Sequence, residues 1–314
     1  MNNNFYHKMQ SAMLVTSLAV LLGVVGWMLG GHLFALSAMA TMILLYFFTP
    51  RMSPFLILKW LRGRALSYHD APRLYEVLET LAKRAELPRM PILYYFPAEV
   101  MNAFTLGTRE DAAIAVSEGL LQRLNRSEIK AVLAHEGIHI RSNDMRIIGF
   151  ADLASRLTHG LSLFGQLLLI INLPLVLFGE VNFSWIAILL LIFAPSISAL
   201  LQLALSRTRE YTADLGAVEL MGNPESLATS LAKIEKHGRS LIRYLPWTAN
   251  PQSQILRTHP PTKERIRRLM EIQDREPEPA WSFFPGYEYK QVRPLRVSSR
   301  PRYWPQRYLN RLWY

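Results

Sequence analysis

Two long stretches of the chain carry almost no charge, and between and after them apolar positions recur at helical or strand spacing. From Lys8 to Arg51 no Asp, Glu, Lys or Arg intervenes. One helix through all of it would be roughly twice as long as a bilayer core is thick. Gly30, Gly31 and His32 divide the stretch. The pattern therefore predicts two membrane-spanning helices, residues 11–29 and 33–48, joined as a hairpin. A cleavable signal peptide is excluded, because no small-residue cleavage site precedes a polar region. The second stretch runs from Leu157 to Ser206, with Glu180 as its one formal charge. Its arms, residues 160–179 and 183–205, are each long enough to span. A hairpin buried in a soluble core would show the same pattern. Pro174 and Pro195 interrupt these arms, as membrane helices tolerate.

Basic residues orient the hairpins. Arg51, Lys59, Arg62 and Arg64 follow the first, Arg207 and Arg209 follow the second, and neither short turn carries Lys or Arg. Positive-inside reasoning places both termini and the polar segments in the cytoplasm. Five parts are expected: a transmembrane hairpin (1–50), a first catalytic part (51–156), a second transmembrane hairpin (157–206), a second catalytic part (207–275) and a tail (276–314). Residues 91–96, 101–106 and 112–116 read as short strands. Asn125 with Glu128 forms a capping-box pattern. Ile129, Val132, Leu133 and Ile140 then continue at helical spacing toward an end near Asn143. The fold class expected is mainly α with a small β-sheet and about four transmembrane helices in two hairpins.

Composition removes some chemistry. The 314 residues include no cysteine, so disulfides and thiolate metal sites are excluded. The net charge of +11 invites a nucleic-acid reading. The basic residues flank apolar spans, however, and no phosphate-binding loop or zinc-finger spacing occurs, so no nucleic-acid partner is expected. From Trp281 to Tyr314, seven Lys or Arg stand against one acid, interleaved with aromatic residues. That mixture suits an anionic membrane surface, or docking onto the rest of the chain.

His135, Glu136 and His139 form H-E-x-x-H within the predicted helix. Residues i and i+4 share a helix face, so two imidazoles can grip one metal ion. Glu136 can then reach a metal-bound water as a general base. A catalytic site needs a third protein ligand. Glu210 and Asp214, one turn apart beyond the second hairpin, suit a carboxylate ligand and an acid that orients a ligating histidine. Taken alone, they also describe an ordinary charged helix face. Two histidines and a carboxylate suit zinc, and would also hold Mn, Co or Fe. His7, His32, His69, His159 and His237 have no partner at ligand spacing.

Four blocks, in order, resemble the membrane-bound zinc peptidases of the HtpX type, relatives of the CAAX prenyl proteases. Residues 102–107 resemble the family's N-A-F segment through Asn102, Ala103 and Phe104. Residues 131–139 resemble its A-V-L-A-H-E-x-x-H helix, with Asp144 at the downstream aspartate. Residues 209–214 resemble its R-E-x-x-A-D block. Thr258, His259, Pro260, Pro261 and Thr262, with Arg265 and Ile266, resemble its T-H-P-P-T-x-x-R-I block. The resemblance covers residues 65–272. It implies a gluzincin-type zincin with one Zn²⁺ per chain held by His135, His139 and Glu210, with Asp214 and Asp144 behind them.

It also implies Glu136 and His259 as catalytic groups; Arg207 and Arg209, which flank Glu210, are further candidates to stabilise the oxyanion. Asn102, Ala103 and Phe104 would lie on an edge strand that binds substrate. The function implied is an endopeptidase acting at the cytoplasmic face of a bacterial-type inner membrane. Its substrates would be membrane or misfolded proteins. A narrower CAAX-type processing protease and a non-catalytic scaffold that retains the metal site are the alternatives. Intact Glu136 disfavours the scaffold, which has no need of a base. Oligomeric state is not encoded in any of these features.

Overall fold

The structure is a computed structural model that describes residues 2–48, 58–178, 185–244 and 261–273. Glu180, His259 and the basic tail lie outside the described residues. The described chain is mainly helical with one four-stranded sheet.

Helix α1 (Asn2–Phe48) covers the first apolar stretch. It is not straight. Gly31 has φ +69°, a left-handed value that glycine takes without steric cost. A Cβ placed on Gly26 would lie 3.2 Å from Ala35 Cα, whereas nine residues along a straight helix separate atoms by about 13 Å. The chain therefore folds back at Gly31, the division that the sequence pattern predicts. Among the described residues, three helical segments are long and apolar enough to cross a membrane: Met9–Leu29, Asp144–Pro174 and Trp185–Met221. The returning arm of α1 contains a shorter apolar helix, Gly31–Leu44.

The sheet holds β1 (Arg64–Ala65), β2 (Ile92–Phe96), β3 (Ala103–Gly107) and β4 (Ala112–Ser117), in the order β1-β2-β4-β3. β2 and β4 are parallel, and the outer strands run antiparallel to their neighbours. Three strands match the sequence expectation. β1, two exposed residues long, has no alternation to reveal it. β3 is an edge strand. Side chains alternate across a strand. Phe104 and Leu106 accordingly pack on one face with Leu58 and Phe96, while Ala103 and Thr105 turn toward the other face.

On that second face lie α2 (Pro72–Arg84), α3 (Glu118–Arg123) and α4 (Arg126–Arg141). α4 starts with the predicted capping box. Asn125 accepts from the Glu128 N–H, and the Glu128 carboxylate accepts from the Asn125 N–H at 2.8 Å. Asn143, at φ 55°, turns the chain from α4 into α5 (Asp144–Leu177). The returning arm of the second apolar stretch lies in α6 (Trp185–Met221), which is followed by α7 (Pro224–Tyr244) and α8 (Thr262–Gln273). Neither Leu157 nor Ser206, where the polar-to-apolar pattern changes, interrupts a helix. α5 and α6 each run unbroken from the apolar bundle into the polar half of the molecule.

The bundle packs α1 against α5 and α6 through Leu18, Leu22, Met42, Ala151, Ala154 and Leu205. Outward it shows Leu163, Phe164, Leu167, Ile170, Ile192 and Phe193, a surface suited to lipid. Pro195 has no N–H, so the Leu191 carbonyl loses its helical partner. The neighbouring helix supplies two donors, the Ser162 hydroxyl and the Gln166 amide, the latter at 3.0 Å. This cross-helix cap replaces the missing turn bond inside an apolar bundle, where an orphaned carbonyl is costly.

The double variant Ser162→Ala/Gln166→Leu is expected to lose about 1 kcal/mol of stability in detergent. The loss should shrink in a Pro195→Ala background, where residue 195 regains its N–H. Thermal unfolding of the four proteins, followed by tryptophan fluorescence, gives the coupling; equal losses in both backgrounds would rule the cap out.

Candidate metal centre

Helix α4 is buried on nearly all sides. The sheet and α2 cover one face, and α6 and α7 cover the other. Gly216 on α6 makes this contact close. A Cβ there would stand 2.8 Å from Ile138 Cδ1, so a larger residue would force the Ile138 side chain or α6 to shift. This approach brings Glu210, on α6, to the two histidines of α4. The ligand atoms of His135, His139 and Glu210 all lie within 4.8 Å of one another.

The edges of this triangle are short. His135 Nε2 and His139 Nε2 are 3.1 Å apart. Glu210 Oε2 is 3.4 Å from the first, and Oε1 is 3.7 Å from the second. Two ligands at about 2.0–2.1 Å from one tetrahedral ion stand roughly 3.4 Å apart. The donor set thus fits a single ion of zinc's size.

Behind each histidine stands an acid. His139 Nδ1 lies 2.6 Å from Asp144 Oδ2, at the first residue of α5. His135 Nδ1 lies 3.1 Å from Asp214 Oδ1, an ionic approach not aligned as a hydrogen bond. With both Nδ1 protons turned toward carboxylates, two Nε2 lone pairs point into the same small space. A cation between them relieves that repulsion.

Each acid is in turn held by an arginine. Asp144 is bound by Arg209, which also reaches the Ser142 carbonyl. Asp214 is gripped by two donors of Arg265, at 2.7 and 2.6 Å. Arg265 Nη1 also stands 3.1 Å from Glu210 Oε2. All of these groups are buried. Four carboxylates (Glu136, Asp144, Glu210 and Asp214) share the space with two guanidinium groups. With neutral imidazoles the cluster carries two negative charges, which a divalent cation balances.

The titrations reflect that imbalance. Burial lowers the His135 pKa, but Asp214 and Glu210 outweigh it and raise it to about 9. Burial, and then the charge of His135, push His139 down. Burial disfavours the Arg265 cation too, yet Asp214 and Glu210 hold its pKa above the usual guanidinium value.

The residues singled out from sequence separate into three groups. His135, Glu136, His139, Glu210, Asp214 and Asp144 come together. Asn102 lies just before β3, and its N–H donates to Ser117 Oγ at 2.9 Å. Phe104 turns to the sheet's other face, against Phe96. His259 lies outside the described residues. Of the two arginines considered for the oxyanion, Arg207 is exposed and Arg209 is committed to Asp144. The basic group that reaches Glu210 itself is Arg265. Its cue in the sequence is slight: it shares a helix face with Leu269 and Ile272, so one arginine sits on an otherwise apolar stripe. Thr105 was also passed over, and its Oγ1 lies 2.7 Å from Glu136 Oε2. A shallow surface depression adjoins His139, between the β3–β4 turn and the start of α5; Gly107, Arg109, Asn143 and Met145 contribute to its walls.

Comparison with known proteins agrees with this constellation. Residues 68–273 match the family described as peptidase family M48. A protease HtpX homolog from Pyrococcus furiosus is 33% identical over 288 residues, covering 84% of this chain and 95% of its own length. A protease HtpX homolog from Campylobacter hominis is 34% identical over 283 residues, covering 84% and 98%. The crystal structure of Saccharomyces mikatae Ste24p aligns with a TM-score of 0.44 at 19% identity. That alignment covers 84% of this chain and 65% of that one.

Proposed function

We propose, from the premise that the chain belongs to peptidase family M48, that this integral-membrane metalloprotease is a zinc endopeptidase of the cytoplasmic face, cleaving membrane or misfolded proteins. The observation that carries the reading is the convergence of His135, His139 and Glu210 beside Glu136, with Glu210 on α6, a helix that also builds the apolar bundle. His135, His139 and Glu210 hold the ion. Asp144 and Asp214 fix the two imidazoles, each secured by its arginine.

The ion that these residues would hold would supply Lewis-acid chemistry, activating water and polarising the scissile carbonyl. Glu136 takes the water proton and hands it to the leaving amine. No serine or cysteine nucleophile takes part. His259 lies in the block that precedes α8 and is the first choice to stabilise the oxyanion. The open edge of β3 receives extended substrate backbone by strand addition, at Asn102, Ala103 and Phe104. Four crossings, with the α1 arm after Gly31 as the second, return both termini to the cytoplasm. The basic residues that follow each hairpin support that orientation.

Wild type and Glu136→Gln, purified in detergent, are expected to bind one zinc each. Casein cleavage should fall about 10²–10⁴-fold in the variant. A chelator should abolish wild-type cleavage, and zinc should restore it. Equal cleavage by both proteins would remove Glu136 from the mechanism.

Proline replacements along residues 102–106 should suppress cleavage while zinc content stays at one per chain. Retained cleavage would show that substrate does not add to this edge. Reporter fusions at Gly30 and Glu180 should report the non-cytoplasmic side; a cytoplasmic signal at either would overturn the assigned orientation.

A further inference from the structure

Thr105 is placed on β3 so that its hydroxyl meets the catalytic helix. Oγ1 lies 2.7 Å from Glu136 Oε2 and 3.2 Å from the Glu136 carbonyl oxygen. Both residues are buried, at 5% and 8% exposure. Both acceptors belong to Glu136, so the hydroxyl stays on that residue whichever way it turns. On the neighbouring strand, Thr105 pairs with Ile114. The pairing fixes the backbone, and the β-branched side chain has few rotamers to choose from. The hydroxyl is therefore a rigid donor aimed at a group that would otherwise swing about its own torsions.

Packing alone does not call for this hydroxyl. Valine has the same shape and an equal preference for strands. What threonine adds is one hydrogen bond to one oxygen of the base. With Oε2 engaged, the carboxylate plane is set and Oε1 is left to accept the proton. A carboxylate held in the productive orientation removes the rate penalty of searching for it.

We propose that Thr105 is a positioning residue for Glu136, and that it ties the orientation of the base to the strand that receives the substrate. The proposal rests on the endopeptidase reading above. It adds that β3 serves the reaction twice, through its open backbone edge and through one side chain facing α4.

Three variants at this position test it, as zinc-loaded full-length protein with a fluorogenic peptide. Thr105→Val should keep its zinc and its KM, while kcat falls about tenfold, the rate equivalent of one ordinary hydrogen bond. Thr105→Ser should stay within about threefold of wild type, since a hydroxyl remains. Thr105→Ala differs from Thr105→Ser by the hydroxyl alone, so the ratio of their kcat values decides the matter even if Thr105→Val does not fold. Equal kcat for the serine and alanine variants would overturn the proposal while the peptidase reading stands. So would a loss expressed only in KM. Absence of Glu136-dependent cleavage in zinc-loaded wild type would overturn the endopeptidase reading, and this proposal with it.

Discussion

The structure is organised around buried negative charge. Four carboxylates meet in a region where water is largely excluded, and an uncompensated charge there is strongly destabilising. The compensation comes from distant parts of the chain. Arg209 answers Asp144, and Arg265 answers Asp214 and Glu210. The remainder is suited to a divalent cation. The helices carrying these groups cannot separate without stranding a charge. The arrangement therefore joins α4, α5, α6 and α8 more selectively than apolar packing would.

This dependence explains the order of supports around each imidazole. A metal ligand on a helix has two torsions to fix, and burial supplies only part of the restraint. Asp144 supplies the rest for His139 from the start of α5, immediately after the turn at Asn143. Asp214 faces His135 from one turn beyond Glu210 on α6. The two histidines are thus oriented by two different helices, and both of those helices enter the apolar bundle.

Much of this was legible in the residues. H-E-x-x-H after a capping box places both imidazoles on one helix face, because the helical period leaves no other arrangement. Glu210 and Asp214 share a face for the same reason. Strands β2, β3 and β4 announce themselves through apolar and β-branched residues. Other features have no local signature. Among Lys263, Glu264, Arg265, Arg267 and Arg268, the apolar stripe with Leu269 and Ile272 hints that Arg265 turns inward, but no local signature tells which acids it meets, since that depends on where α8 docks. Arg267 and Arg268 bind Glu264 on the surface instead. Thr105 looks like any strand threonine until α4 is laid across the sheet. The change from polar to apolar composition near 157 and 206 marks a change of surroundings, which a helix can cross without ending.

The unbroken course of α6 has a metric consequence. Leu203 still presents a partly exposed apolar side chain, and Glu210 follows seven residues later. At about 1.5 Å per residue, that interval is roughly 10 Å. Because no break intervenes, Glu210 is held to the apolar arm at a fixed distance, as a lamp is held to its mast.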